Sequence, residues 1–165
     1  MRALLPLLCA AALLATQPAA ATPALPSIPK LLELCASTTM AEATARGERL
    51  GWQRLSDTRL EPWRSGFLRH NGGTVEVVGW QRGEKEGEGA LSFWIAKGPN
   101  AHRACYFSAA GAPGLLNDLS EALGEPDNLD KTADIVLASW TFGPTQVQFA
   151  QTGASAVVNY AYTGR

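Results

Sequence analysis

Along the chain the apolar residues change their period, and each change marks an element. Leu31, Leu34, Cys35 and Thr38 recur at helical spacing, and Ala41 and Ala45 carry the pattern on toward Gly47 or Gly51. This spacing predicts a first helix from about residue 30, with Ser27 able to cap it and Pro29 tolerated in its first turn. Residues 51–62 are polar and irregular. Short alternating runs then predict strands at 67–70 and 74–80, flanking Asn71-Gly72-Gly73 as a hairpin turn, and at 90–96 and 102–108, divided by Gly98-Pro99-Asn100. Residues 81–89 are charged and glycine-rich and read as a solvated hairpin loop. Leu115, Leu116, Leu119 and Leu123 form the stripe of a second helix over 113–123, closed by Gly124 and Pro126. Further strands are expected at 135–142, 145–150 and 156–162.

Strands joined by short turns are antiparallel, and amphipathic helices cover a face of such a sheet. The expected fold is therefore α+β, a mainly antiparallel sheet of about six to seven strands packed by two helices in the order α-β-β-β-β-α-β-β-β. A helix followed by a meander, twice over, raises a pseudo-repeat, although the halves share no residue-level similarity.

A different pattern precedes this one. Arg2 stands before an apolar stretch from Ala3 to Ala15, followed by small residues with Ala19 and Ala21 at the spacing of a signal-peptidase cut. The stretch holds Pro6 and falls short of the ~20 apolar residues that span a bilayer. Residues 1–21 are thus expected to be a cleaved signal peptide, 22–29 a proline-rich leader, and 30–165 a single globular α+β domain with no integral membrane span after cleavage. Cys9 lacks the small preceding residues of a lipidation site, since Pro6, Leu7 and Leu8 stand there. The expected location is periplasmic or secreted.

An oxidising compartment changes the reading of the cysteines. Beyond Cys9 only Cys35 and Cys105 remain, and two is a number that pairs off completely, so a Cys35–Cys105 disulfide is expected. Closing a loop of that length contributes up to about 4 kcal/mol through the entropy of the unfolded chain. With 14 basic and 15 acidic residues interspersed and a net charge of −1, the chain has no basic stripe, which argues against nucleic acid and anionic membranes as partners.

Candidate chemistry is sparse. Ser27-Ile28-Pro29-Lys30 matches the Ser-x-x-Lys of serine acylases, and Lys131-Thr132-Ala133 approaches their Lys-Thr-Gly. The match is rejected because Asp127-Asn128 lies almost beside Lys131 and Ser27 has a capping role next to prolines. His70 and His102 are the only histidines; a zinc site built from both would need carboxylates such as Glu84, Glu86 and Glu88. No catalytic residue, metal or cofactor is expected. The tryptophans at 52, 63, 80, 94 and 140 are the more unusual feature, because an indole anchors ligands as readily as it fills cores. Period-two alternation sets Trp94 opposite Leu91, Phe93 and Ile95, and Trp80 with Glu76 rather than with Val75 and Val77. The candidate binding face is accordingly Trp80, Trp94, Trp140, Tyr160 and Tyr162, and its alternative is a second, minor core beneath residues 51–62. The expected function is non-catalytic, a binding or accessory protein of the cell envelope whose partner is an envelope protein or an amphipathic ligand. The alternative is a small hydrolase or metal-dependent enzyme using His70 or His102.

Overall fold

In the computed structural model, which describes residues 22–83 and 87–164, the alternating runs form one antiparallel sheet of eight strands. The expected signal peptide, Glu84 and Glu86 lie outside the described residues. The strands are β1 (Gln53–Arg54), β2 (Thr74–Gln81), β3 (Gly89–Lys97), β4 (His102–Ala110), β5 (Asn128–Lys131), β6 (Ile135–Phe142), β7 (Thr145–Thr152) and β8 (Ser155–Tyr162), and four helices accompany them. The fold is α+β and mainly sheet, with more strands and helices than expected.

The order across the sheet is β1-β2-β3-β4-β8-β7-β6-β5 and reads the same from either edge. Two four-stranded meanders meet where β4 pairs with β8, so the doubling raised by the sequence is present in the topology. The halves differ at one connection. Between β5 and β6 the chain simply turns, whereas between β1 and β2 it inserts a helix.

The first predicted helix is two, α1 (Ile28–Cys35) and α2 (Met40–Glu48). The break falls at Ser37, which is buried and held from both sides: Arg46 Nη1 donates to its hydroxyl at 2.8 Å and Arg103 Nη1 to its carbonyl at 3.3 Å. Thr39 then caps α2 by accepting from the Glu42 N–H, while the Glu42 carboxylate accepts from the Thr38 N–H and hydroxyl. Reciprocal capping of this kind restarts a helix locally.

The largest departure is α3 (Asp57–Asn71), a helix where a loop and a strand at 67–70 were expected. Ser56 caps it, accepting from the Arg59 N–H, and Leu60, Trp63 and Phe67 recur at spacings of three and four that face one side. Pro62 in the second turn and the mid-helix Gly66 masked that pattern in the sequence. Asn71-Gly72-Gly73 is the end of this helix rather than a hairpin turn. Gly72 and Gly73 both have positive φ, and a Cβ on Gly73 would collide with the Lys97 carbonyl oxygen.

Helices α1, α2 and α4 (Leu115–Leu123) supply the cover of one sheet face. Leu31, Leu34 and Leu119 from the helices meet Trp80, Phe93, Phe107, Val147 and Phe149 from the strands, all essentially inaccessible. Each such side chain contributes about 1.5–3 kcal/mol on burial. The Cys35–Cys105 disulfide ties the last turn of α1 to β4, with Cα atoms 5.2 Å apart. Helix α3 lies on the opposite face, where Leu55, Leu60 and Val77, with Trp63 and Trp94 against them, make the second, minor core. No helix among the described residues is long and apolar enough to cross a membrane.

Candidate functional site

The insertion of α3 gives the second sheet face an uneven cover. The helix shields β2 and part of β3, and beyond it the face continues open across β4, β8, β7 and β6. Where the helix wall ends, a groove of about 610 Å³ runs between Trp63, Gly66 and Phe67 of α3 and Trp94, Tyr106 and Ala161 of the strands. Small residues open it: Ala90, Ala104 and Ala161 line its floor, and Gly66 leaves its wall without a side chain.

Aromatic rings dominate the wall. Trp63 and Trp94 stack with centroids 6.2 Å apart and planes 23° from parallel, and both are half-buried. Phe67 stands 6.0 Å from Trp94 and 5.7 Å from the His102 ring. The polar atoms of these rings are directed by the scaffold. Trp94 Nε1 donates to Ser92 Oγ at 2.8 Å. His102 Nδ1 lies 2.7 Å from the Asn100 carbonyl, which can only accept, so in this pair Nδ1 is the donor.

The wall is anchored at both ends. Near its start, the Leu55 N–H donates to the Gly79 carbonyl at 2.8 Å and Leu60 packs into the minor core. At its finish, Asn71 Nδ2 donates to Phe67 O at 3.0 Å and Asn100 Nδ2 to Asn71 O at 3.3 Å, tying the helix to the β3–β4 turn that also orients His102. On its outer side Arg64 pairs with Asp57 and Glu61, and these partners, Asp57 first, hold the guanidinium above its ordinary range.

A single register row crosses the open face. Ser92, Tyr106, Asn159, Gln148, Ser139 and Asn128 stand opposite one another from β3 to β5. At about 4.8 Å per strand this makes a line of uncharged hydrogen-bonding groups roughly 24 Å long. Ala150, Val157 and Leu137 flank it, and Leu137 is 46% exposed. A second concavity of about 590 Å³ lies over this half and meets the first at Asn159, which lines both.

Of the candidate binding face expected from sequence, only Trp94 lies here. Trp80 pairs with Leu91 and is 0% exposed beneath α2, and Trp140 pairs with Val147 and is 1% exposed, its Nε1 donating to Gly124 O at the end of α4. Tyr160 packs against the same helix-covered core, and Tyr162 lies under the Arg103 guanidinium, 4.3 Å from its centroid, on that face as well. Alternation correctly separated Trp80 from Val77, but the side shared with Glu76 is the one that carries the main core, while Val77 is buried on the other face in the minor core. Glu76 is exposed only because it lies beyond the helices, where it pairs with Lys97 at 3.2 Å.

His70 is exposed in the last turn of α3, and among the described residues no group of three or more His, Cys, Asp or Glu side chains is placed to hold a metal ion. Sequence reasoning missed Trp63 and Phe67 as wall residues and Tyr106 and Asn159 as floor residues. The first pair was readable from the Ser56 cap and the spacing of Leu60, Trp63 and Phe67. The second pair was not, since only strand pairing sets those side chains side by side. Among known proteins, no family model, no curated protein and no solved structure matches the chain.

Proposed function

We propose that the chain is an exported, non-catalytic binding protein of the cell envelope whose α3 groove takes an amphipathic ligand. The observation that carries this reading is the stacked, half-buried Trp63–Trp94 pair lining an open groove rather than a sealed core. A volume of about 610 Å³ falls within the roughly 300–1,000 Å³ of small-molecule sites. The apolar part of the ligand lies against Trp63, Phe67 and Trp94, and its polar part follows Tyr106, Asn159 and Gln148 along the open face. The uncharged row favours hydroxyl or amide groups over a charged headgroup, because each row member can donate to or accept from such groups without a counter-ion. Export is supported by the signal-like N-terminal segment and by the disulfide, a bond that persists in oxidising compartments.

Acrylamide quenching of tryptophan emission tests the reading. Trp52, Trp80 and Trp140 are buried under the helices and leader, so quenchable emission arises from Trp63 and Trp94. An envelope extract is expected to lower the quenching constant of the wild-type chain at least twofold and to leave W63F/W94F unchanged. Equal quenching of the wild type with and without extract, together with no binding of 1-anilinonaphthalene-8-sulfonate, refutes a ligand groove.

A further inference from the structure

Two side-chain atoms among the described residues are buried without a hydrogen-bond partner, Trp80 Nε1 and Glu88 Oε2. The first belongs to an indole pressed beneath Gly47 of α2. The second is a carboxylate oxygen, which is far more costly to leave without a donor than an indole N–H. Glu88 lies in the β2–β3 connection, and its Oε2 occupies the space where a Cβ on Gly83 would stand. The same point is 3.3 Å from Thr22 Cγ2, so the carboxylate and the first residue of the leader converge on one spot.

The Arg82 guanidinium beside them is not the missing partner. Its Nε donates to the Pro23 carbonyl at 2.6 Å and its Nη1 to the Glu88 backbone carbonyl at 3.4 Å. Trp52 Nε1 adds a bond to the Ala24 carbonyl at 3.1 Å. Residues 23 and 24 are thereby clamped onto the sheet, which places Thr22, one residue away, beside Glu88.

We propose that Glu88 receives the α-ammonium group that cleavage after Ala21 creates on Thr22, so that removal of the export signal supplies the donor this carboxylate lacks. Hydrolysis of the Ala21–Thr22 bond by the signal-cleaving peptidase adds one water, leaving a carboxylate on Ala21 and an amine on Thr22 that takes up a proton at neutral pH. Before cleavage the same nitrogen is an uncharged amide with one N–H. After it, the nitrogen carries three donors and a positive charge beside a half-buried carboxylate whose Oε2 has no donor, and a donor supplied to such an oxygen is stabilising. The seat therefore selects a chain that begins at Thr22, and the mature protein is more stable than its precursor.

Intact-mass measurement of the exported protein and a stability comparison at pH 7 test this together. The mass is expected to place the first residue at Thr22. Acetylating the Thr22 amine, or retaining Ala20 and Ala21 before it, is expected to shift the wild-type folding equilibrium at least tenfold toward the unfolded state. In E88Q the free, acetylated and extended forms are expected to be equally stable. A chain found to begin elsewhere, a smaller shift, or a shift that E88Q leaves intact overturns the proposal. The acetylation comparison uses the wild-type chain and decides the question even where E88Q does not fold.

Discussion

Replacing Gly47 by alanine sets two well-characterised effects against each other. Gly47 lies in the last turn of α2 with ordinary helical φ, where alanine is favoured over glycine by about 1 kcal/mol on backbone grounds. Its position in the packing reverses the sign. A Cβ there would overlap Cζ2 and Cε2 of Trp80, an indole with no exposed surface and the core on its other side. A rigid ring in a filled interior cannot swing aside as a flexible chain end can, and overpacking of this kind costs about 1–3 kcal/mol or more. With the ring fixed the overlap outweighs the propensity gain, and G47A is expected to lose about 2 kcal/mol. Urea unfolding followed by circular dichroism reads this directly: at a typical slope of about 1–3 kcal/mol per molar, the midpoint falls by roughly 1 M with the slope unchanged. Gly66 in α3 is the matched control, since nothing lies within 4 Å of a Cβ placed there. G66A is expected to gain about 0.5–1 kcal/mol. Midpoints that move in the same direction for both variants, or a G47A protein as stable as wild type, would refute the contact between α2 and Trp80 as the reason for glycine at 47.

Removing the disulfide as C35A/C105A releases a loop with a sequence separation of 70 and is expected to cost up to about 4 kcal/mol; a variant within 1 kcal/mol of wild type in urea would contradict this. Glu42 supplies a pH-dependent contribution. The Thr38 N–H, and after it the Thr38 hydroxyl, hold its carboxyl below the ordinary value of 4.5. A depressed carboxylate stabilises fully above its unfolded value and loses that contribution as the pH falls through the folded one. The stability difference between wild type and E42Q is therefore expected to be constant at neutral pH and to shrink on acidification below 4.5, as read from urea midpoints across a pH series; a difference that is flat with pH is evidence against the capping role.

The groove has a simple origin in the doubled sheet. Both halves present a meander, and the three helices α1, α2 and α4 cover one face of the combined sheet. Only the first half inserts α3, so the other face receives a wall on one side and none on the other. A symmetric insertion between β5 and β6 would cover β6 and part of β7, the strands that carry Leu137 and Gln148. Its absence leaves that half of the face, with its row of uncharged polar groups, open.

Local features of the chain carried a good part of this architecture. The leucine stripe and Gly124 define α4, alternation defines β2, β3, β4, β6, β7 and β8, and the cysteine count leads to the Cys35–Cys105 pair, because period, caps and pairing number are properties of neighbouring residues or of composition. Strand β5 escaped notice because every one of its residues is exposed, leaving no alternation to read; its extended form comes from pairing with β6. Helix α3 was half legible, its cap and apolar spacing offset by Pro62 and Gly66. Which of the tryptophans lines the groove was legible only for Trp94. Alternation says that two residues of one strand share a side, but only the register between strands and the side on which helices pack decide whether that side is core or groove. That is why Trp80 and Trp140 lie sealed beneath the helices while Trp94, from the strand between β2 and β4, lies half-buried in the groove wall on the opposite face.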